Sequence, residues 1–439
     1  MQKIIEKFRQ KIYMQKIIEK FLKILAIAVL KKQRPQVVSI TGSMGKTSTK
    51  EAIYFVLKEK FRVRRNIKNY NNEIGVPLTI LGEISPGKSF FGWLKVFGKG
   101  FLLTIFKKKK YPQVLVLETA ADKPGDLKYL MEIFPSELLK VAVLTSIAPV
   151  HLEFFGTMEN IFKEKITPFF HLKKQGFAVI NKDNCNFERI KPMLNSKIIS
   201  YGLDGKADLS IREIKITEQG LSFNFNYKNN LYPFLLEEAI SSYQLYSILA
   251  AASVGICYGM ELKEICEGLK KYKLLAGRMR KIKGINNSVI IDDTYNSSPQ
   301  ATSKSLSALS DLSFGKMKRR KIAVLGAMLE LGKDSDDFHY EIGELTADLK
   351  IDYLITLGAK GKIIFQGALE KGMPQKRVFK FDSLKGVSDF LKNFIQQGDI
   401  LLIKGSQGIR MEKIVQEIML EPENAKELLV RQGKEWQDK

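Results

Sequence analysis

Residues 36–47 read Gln-Val-Val-Ser-Ile-Thr-Gly-Ser-Met-Gly-Lys-Thr: an apolar β-rich run, a turn bounded by Gly42 and Gly45, then a lysine and a threonine that open a helix. Ile53, Val56 and Leu57 continue at helical spacing. A strand, a glycine-bounded turn and a helix start make a cradle for phosphate. Gly42, Ser43 and Gly45 present backbone N–H groups, and the helix start adds its positive dipole end. Lys46 can neutralise β/γ-phosphate charge, and Thr47 can hold Mg²⁺. The ligand this implies is a nucleoside triphosphate. The commoner G-x-x-x-x-G-K pattern would place glycine at position 40, where Ile40 stands, so the loop is a shorter variant. A tight strand-to-helix turn with an incidental lysine is the plainer alternative.

Around this loop, 439 residues with 45% apolar content are too many for one core and predict two or three globular domains. Three cysteines, Cys185, Cys257 and Cys266, have no metal-like spacing and suggest reduced thiols in the cytoplasm. Three histidines exclude a His-rich metal site. A formal net charge of +24 predicts attraction to polyanions, whether nucleotide, nucleic acid or anionic membrane. No RNA-binding motif accompanies the charge, and no nucleic-acid partner is expected.

No run reaches the roughly 18–20 apolar residues of a membrane span. Phe21–Leu30, flanked by Lys16, Lys20, Lys31 and Lys32, lacks a cleavage site and reads as part of a basic amphipathic helix over residues 1–35. Within that helix MQKIIEKF occurs twice, at 1–8 and 14–21. Residues 88–110 read as an insertion. There Trp93, Phe97, Phe101 and Ile105 recur at helical spacing ahead of Lys107–Lys110. That composition suits a helix in a membrane interface, and equally a helical hairpin packed on its own domain.

The fold class expected is α/β. Val114–Leu117, Val141–Leu144 and Phe177–Ile180 alternate with helical patterns and predict a parallel sheet. Leu221–Tyr227 alternates as an antiparallel strand, and Tyr243–Gly255 reads as a helix. A second series follows at Val289–Ile291, Ile322–Leu325, Tyr353–Leu357 and Ile400–Ile403. The domains expected are therefore 36–276, a nucleotide-binding parallel-sheet unit, and 277–439, a smaller Rossmann-like α/β unit.

Seven further blocks follow the loop in order. They are Asn69-Tyr-Asn-Asn-Glu-Ile-Gly-Val-Pro77, Leu117-Glu-Thr-Ala-Ala-Asp-Lys-Pro-Gly125, Ile147-Ala-Pro-Val-His-Leu-Glu-Phe-Phe-Gly156, Gly277-Arg-Met279, Ile291-Asp-Asp-Thr-Tyr-Asn-Ser-Ser-Pro299, Val324-Leu-Gly-Ala-Met-Leu-Glu-Leu-Gly332 with His339, and Leu402-Ile-Lys-Gly-Ser406. With them the chain, from residue 36 to about 420, resembles the Mur ligase family. The resemblance implies an ATP-dependent, ADP-forming amide ligase of peptidoglycan precursor synthesis, with a UDP-muramoyl-tripeptide and D-Ala-D-Ala as substrates. A substrate carboxylate would take the γ-phosphoryl group to give an acyl phosphate, which an amine then displaces. Such a reaction brings anions together, so it rests on positioning and charge neutralisation.

By the same resemblance, Lys46 would meet the transferring phosphate, and Thr47 and Glu118 would hold Mg²⁺. Glu118 ends a strand, where an open α/β sheet keeps its ligand crevice. His151 would serve a second Mg²⁺, and Lys165 would carry a CO₂-derived carbamate, with Lys163 as the alternative. Gln244 would lie near adenine, Arg278 near ATP phosphate and Asp293 near the ribose. Asn69, Asn71, Asn72, Lys404 and Ser406 are read as substrate contacts, and His339 lies in a matching block with a structural role on its helix as the plainer reading. A cytoplasmic monomer with peripheral contact to anionic membrane is expected.

The chain also departs from the family pattern. About 35 basic, helical residues stand where relatives carry a uridine-nucleotide domain. Tyr243-Gln244 and Ser247 replace the adenine-side His-Asn and Asn, Ala327 replaces an aspartate, and Lys163-Glu-Lys-Ile-Thr-Pro168 lacks the acidic residue expected after the lysine. Two other readings stay open. One is a ligase acting on another amino acid or anionic acceptor. The other is a nucleotide-dependent membrane or nucleic-acid binding protein without ligase activity.

Overall fold

The apolar run at the phosphate loop forms β1 (Gln36–Thr41), buried from Val37 onward and third in order in a nine-stranded sheet. A computed structural model describes residues 2–67, 70–217, 219–312, 319–433 and 436. Asn69 lies outside the described residues. The other strands of the sheet are β2 (Val63–Arg65), β3 (Val114–Glu118), β4 (Leu139–Leu144), β5 (Phe177–Asn181), β6 (Lys197–Tyr201), β7 (Leu209–Ile216), β8 (Gly220–Tyr227) and β9 (Asn230–Glu237). Their spatial order is β2-β3-β1-β4-β5-β6-β7-β8-β9. Pairing is parallel from β2 to β7 and antiparallel across β7, β8 and β9. Val114–Leu117 of β3 and Val141–Leu144 of β4 are continuous apolar runs because helices cover both faces. In β8 the residues alternate, and Phe223 and Phe225 meet Phe234 of β9 on the covered face.

The helices of this half are α1 (Gln2–Gln33), α2 (Lys46–Lys58), α3 (Gly75–Leu81), α4 (Phe90–Ile105), α5 (Asp126–Met131), α6 (Leu152–Phe155), α7 (Met158–Phe170), α8 (Phe187–Ile190), α9 (Leu245–Cys257) and α10 (Leu262–Lys270). α2 buries Ala52, Ile53, Val56 and Leu57 in the core it shares with α9, whose residues are apolar nearly all round. α1 is one continuous helix, and Leu22, Ala26, Val29 and Leu30 are fully buried, so its second half is built into the core. Its last residue ties it to α4: the Gln33 amide donates to the Leu103 and Phe106 carbonyls and accepts from Lys108 N–H.

Ser89 caps α4 by accepting from Gly92 N–H at 3.1 Å. Val96, Gly100 and Leu103 are buried. Gly100 lets the two helices approach closely, since a Cβ there would stand 2.2 Å from Leu25 Cδ2 of α1 and force that side chain to move. The stripe expected from sequence is therefore divided. Trp93 and Phe97 stack on each other at 5.8 Å and are drawn into the seam with α1, while Phe101 and Ile105 face outward. The apolar seam that α1 offers is the physical reason.

The second sheet holds β10 (Arg280–Lys283), β11 (Val289–Asp293), β12 (Lys321–Leu325), β13 (Tyr353–Leu357), β14 (Val378–Phe381) and β15 (Ile400–Lys404), in the order β10-β11-β15-β12-β13-β14. Only β10 runs antiparallel. The segments that follow β1 and β4 and the carboxyl ends of β3, β11 and β15 border one cleft of about 770 Å³.

Candidate active site

The turn after β1 demands its glycines. Gly42 has φ +143°, and a Cβ there would sit 2.1 Å from Thr145 Oγ1; Gly45 has φ +80°. The segment after β4 braces the loop from outside. Ser43 N–H donates to the Ser146 carbonyl at 2.8 Å, Met44 N–H donates to Ser146 Oγ at 2.9 Å, and Ala148 N–H donates to Ser43 Oγ at 2.9 Å. α2 begins at Lys46 with no side-chain cap, so its first N–H groups face the cleft. The Lys46 ammonium folds back on the loop, donating to the Gly42 carbonyl at 2.7 Å and to that of Ser43 at 3.2 Å. Burial lowers its pKa, Glu118 and Asp122 act to raise it, and Arg278 lowers it.

Glu118 is 3% exposed and reaches the cleft from the end of β3. Asn71 donates to its Oε1 at 3.0 Å. Behind it stands Asn66, which sequence reading missed. Its amide donates to the Glu118 and Tyr70 carbonyls, its own carbonyl accepts Glu118 N–H, and Lys50, 1% exposed, donates to its backbone carbonyl at 2.8 Å. The signal was its place just past the carboxyl end of β2, beside the crevice. Asn72 Oδ1 accepts Gly75 N–H at the start of α3, so that oxygen is already engaged within the fold.

His151, with φ +53°, sits between two carboxylates: Nδ1 is 3.0 Å from Glu330 and Nε2 is 3.7 Å from Asp122. Burial pulls its pKa down, and the two carboxylates act to raise it. Lys165 is 1% exposed, and its ammonium is 3.4 Å from the Ala121 carbonyl. Burial first, then Lys46, pushes its pKa down to about 7. Its neighbour Glu164 accepts from Gly125 and Leu127 N–H and so holds the segment after β3. Lys163 points outward beside Glu159, its side chain 68% exposed.

The second sheet supplies the facing wall. The Arg278 guanidinium lies 4.0 Å from the Tyr295 ring centroid. Asp293 Oδ2 accepts from Lys404 at 2.6 Å and from Ser305 at 2.7 Å, and its Oδ1 accepts Met279 N–H at 3.3 Å. Lys404 also donates to the Asn296 carbonyl, and Ser406 Oγ accepts Leu329 N–H. Lys404 and Ser406, two of the residues expected to contact substrate, thus already brace the cleft wall. Gln244 borders the cleft, yet its amide is turned to the backbone: Oε1 accepts from Ile240 and Ser241 N–H, and Nε2 donates to the carbonyls of Met279 and Arg278. His339 is fully buried and accepts Met328 N–H at 2.9 Å, a structural place. Lys304 and Trp436, absent from the sequence reading, also border the cleft.

A phosphate loop at the carboxyl edge of one largely parallel sheet, faced across a cleft by a second with its own arginine, defines a two-lobed α/β enzyme of the nucleotide-binding kind. Residues 40–89 and 99–255 match the Mur ligase middle domain, and residues 277–407 match the family described as Mur ligase, glutamate ligase domain. The chain belongs to the Mur ligase family, whose members form amide bonds at the expense of ATP. It is 28% identical over 406 residues to UDP-N-acetylmuramoyl-tripeptide--D-alanyl-D-alanine ligase of Bacillus subtilis, covering 91% of this chain and 79% of that protein. To the enzyme of the same name from Buchnera aphidicola it is 30% identical, covering 90% and 78%. The crystal structure of MurF ligase from Thermotoga maritima in complex with ADP superposes with a TM-score of 0.73 at 28% identity, covering 91% and 83%.

Proposed function

We propose that this chain is an ATP-dependent, ADP-forming ligase that joins D-Ala-D-Ala to a UDP-muramoyl-tripeptide in peptidoglycan precursor synthesis, working in the cytoplasm as a monomer. The observation that carries the reading is the shared cleft: Lys46, Glu118, His151 and Arg278 converge there from both sheets, in a chain alike over nine tenths of its length to ligases of that name.

The chemistry follows from the charges. ATP phosphates would lie along Gly42, Ser43, Gly45 and the first N–H groups of α2, with Lys46 and Arg278 as cations on opposite sides. Among the described residues no three His, Cys, Asp or Glu side chains gather as a metal site. The Thr47 hydroxyl and the Glu118 carboxylate do suit Mg²⁺, which is held by one or two protein oxygens and completes its shell from phosphate and water. Bound there, Mg²⁺ would neutralise charge on the phosphates. Asn71 and Asn66 hold the Glu118 carboxylate in place.

Lys165 has a low pKa and therefore a large neutral fraction, the form in which an amine adds CO₂. We assign it the carbamate and His151 the neighbouring ligand place, its imidazole kept neutral by burial. Arg278 serves ATP phosphate, the Asp293–Lys404 pair the ribose side, and Asn71 and Asn72 the acceptor side. Gln244 serves by fixing the adenine-side loop. The substrate carboxylate then attacks the γ-phosphorus, ADP leaves, and the D-Ala-D-Ala amine displaces phosphate from the acyl carbon.

ADP release measured with each substrate omitted in turn tests the assignment. Release should require both UDP-muramoyl-tripeptide and D-Ala-D-Ala. Release with a different amino acid or acceptor only would favour a ligase of other substrates, and no release with any acceptor would favour a binding protein.

A further inference from the structure

The outward face of α4 is apolar along its whole length. Phe90, Phe91, Leu94, Phe101, Leu102 and Ile105 are each between 45% and 80% exposed. At about 100° per residue they fall in one sector of roughly 120°. Val96, Gly100 and Leu103 occupy the opposite side and are buried. α1 continues the patch with Phe21 and Ile24, 61% and 58% exposed, and Phe21 meets Phe97 of α4 at 6.3 Å. So dense an apolar surface marks an interaction face.

Its rim is basic. Lys16 and Lys20 lie on the same stripe of α1 as Ile24, Lys95 flanks the α4 face, and Lys107–Lys110 follow the end of α4, all of them exposed. The nearby carboxylates Glu83 and Glu132 are matched by Lys99 and Lys23. No described helix is long and apolar enough to cross a membrane. The match to the Mur ligase middle domain begins at residue 40 and leaves out residues 90–98.

We infer that α1 and α4 seat the protein on an anionic lipid bilayer, with the aromatic face among the headgroups and the lysine rim on lipid phosphates. A bilayer supplies apolar depth and negative charge together. A second copy of this chain would instead bring two lysine rims against each other. The inference does not depend on which acceptor the ligase uses, because the cleft and this face share no residue.

Sedimentation of the full chain with vesicles tests it, using phosphatidylcholine alone and phosphatidylcholine mixed with phosphatidylglycerol. Binding is expected only to the mixed vesicles and should fall as salt is raised. The double change Phe91→Ser with Leu94→Ser, and separately Lys107–Lys110 all changed to Gln, should each weaken binding by at least about tenfold. Both variants should keep the wild-type circular dichroism spectrum and ATP turnover. The proposal is overturned if the chain ignores mixed vesicles at low salt, binds both kinds equally, or binds mixed vesicles unchanged in both variants. Self-association that disappears in the double change, without vesicle binding, would assign the face to a second copy and overturn it as well.

Discussion

Asn66 grips the backbone of Glu118 from both sides, donating to its carbonyl at 2.9 Å and accepting its N–H at 3.0 Å. A buried amide that satisfies both groups of one residue fixes where that side chain begins. Asn66→Ala leaves several buried groups without partners at about 1–3 kcal/mol each, so a stability loss of about 2–4 kcal/mol is expected in urea unfolding. The Mg²⁺ concentration for half-maximal activity should rise with it.

Glu118→Gln isolates the charge from the scaffold. Its amide oxygen can still accept from Asn71, so stability should hold, while a neutral amide is a poorer ligand for a hard cation. A Mg²⁺ titration of ADP release should shift to higher concentration. An unshifted titration would move the metal away from β3.

Lys46→Ala should lower turnover by a factor on the order of a hundred or more, with little change in melting temperature. In the proposed role the lost cation would face the reacting phosphate, and in the loop as it stands it bonds carbonyls of its own turn. Near wild-type turnover in this variant would separate the loop from the chemistry.

Lys165 ties stability to pH. Unfolded, a lysine keeps its proton to about pH 10.4. Folded, Lys165 loses its proton near pH 7. Between these values the unfolded chain binds more protons, so this residue makes stability rise with pH; below the lower value its full burial penalty remains. Lys165→Met should flatten that rise in urea unfolding compared between about pH 7 and about pH 9. Lys165→Ala should lose ligation that short carboxylic acids partly restore, whereas Lys163→Ala should stay active because its side chain is in solvent.

Much of this architecture could be read from local pattern. The β1 loop, the apolar runs of β3, β4, β12 and β15, and the alternation of β8 each state their structure within a few residues. What stayed hidden depends on partners distant in sequence. Asp293 and Lys404 are 111 positions apart, Lys404 was read as meeting substrate, and no periodicity announces their pairing. Sequence points Gln244 toward adenine because an amide suits it, while the structure shows two backbone carbonyls beyond residue 276 sharing the same N–H groups. The α4 stripe was misaligned because helical spacing permits several faces, and only the position of α1 chooses among them.

Ile240 follows β9, yet its side chain is 3% exposed inside the core of the second sheet, among Met279, Ile291 and Leu306. One lobe has lent a hydrocarbon side chain to the interior of the other. Swinging the lobes fully apart would return that side chain to water at about 1.5–3 kcal/mol. It would also strip the Gln244 amide from its two carbonyls. The resting enzyme is therefore a joined body. In this arrangement an apolar anchor and an amide clasp hold the lobes together, and any motion that parts them gives up both.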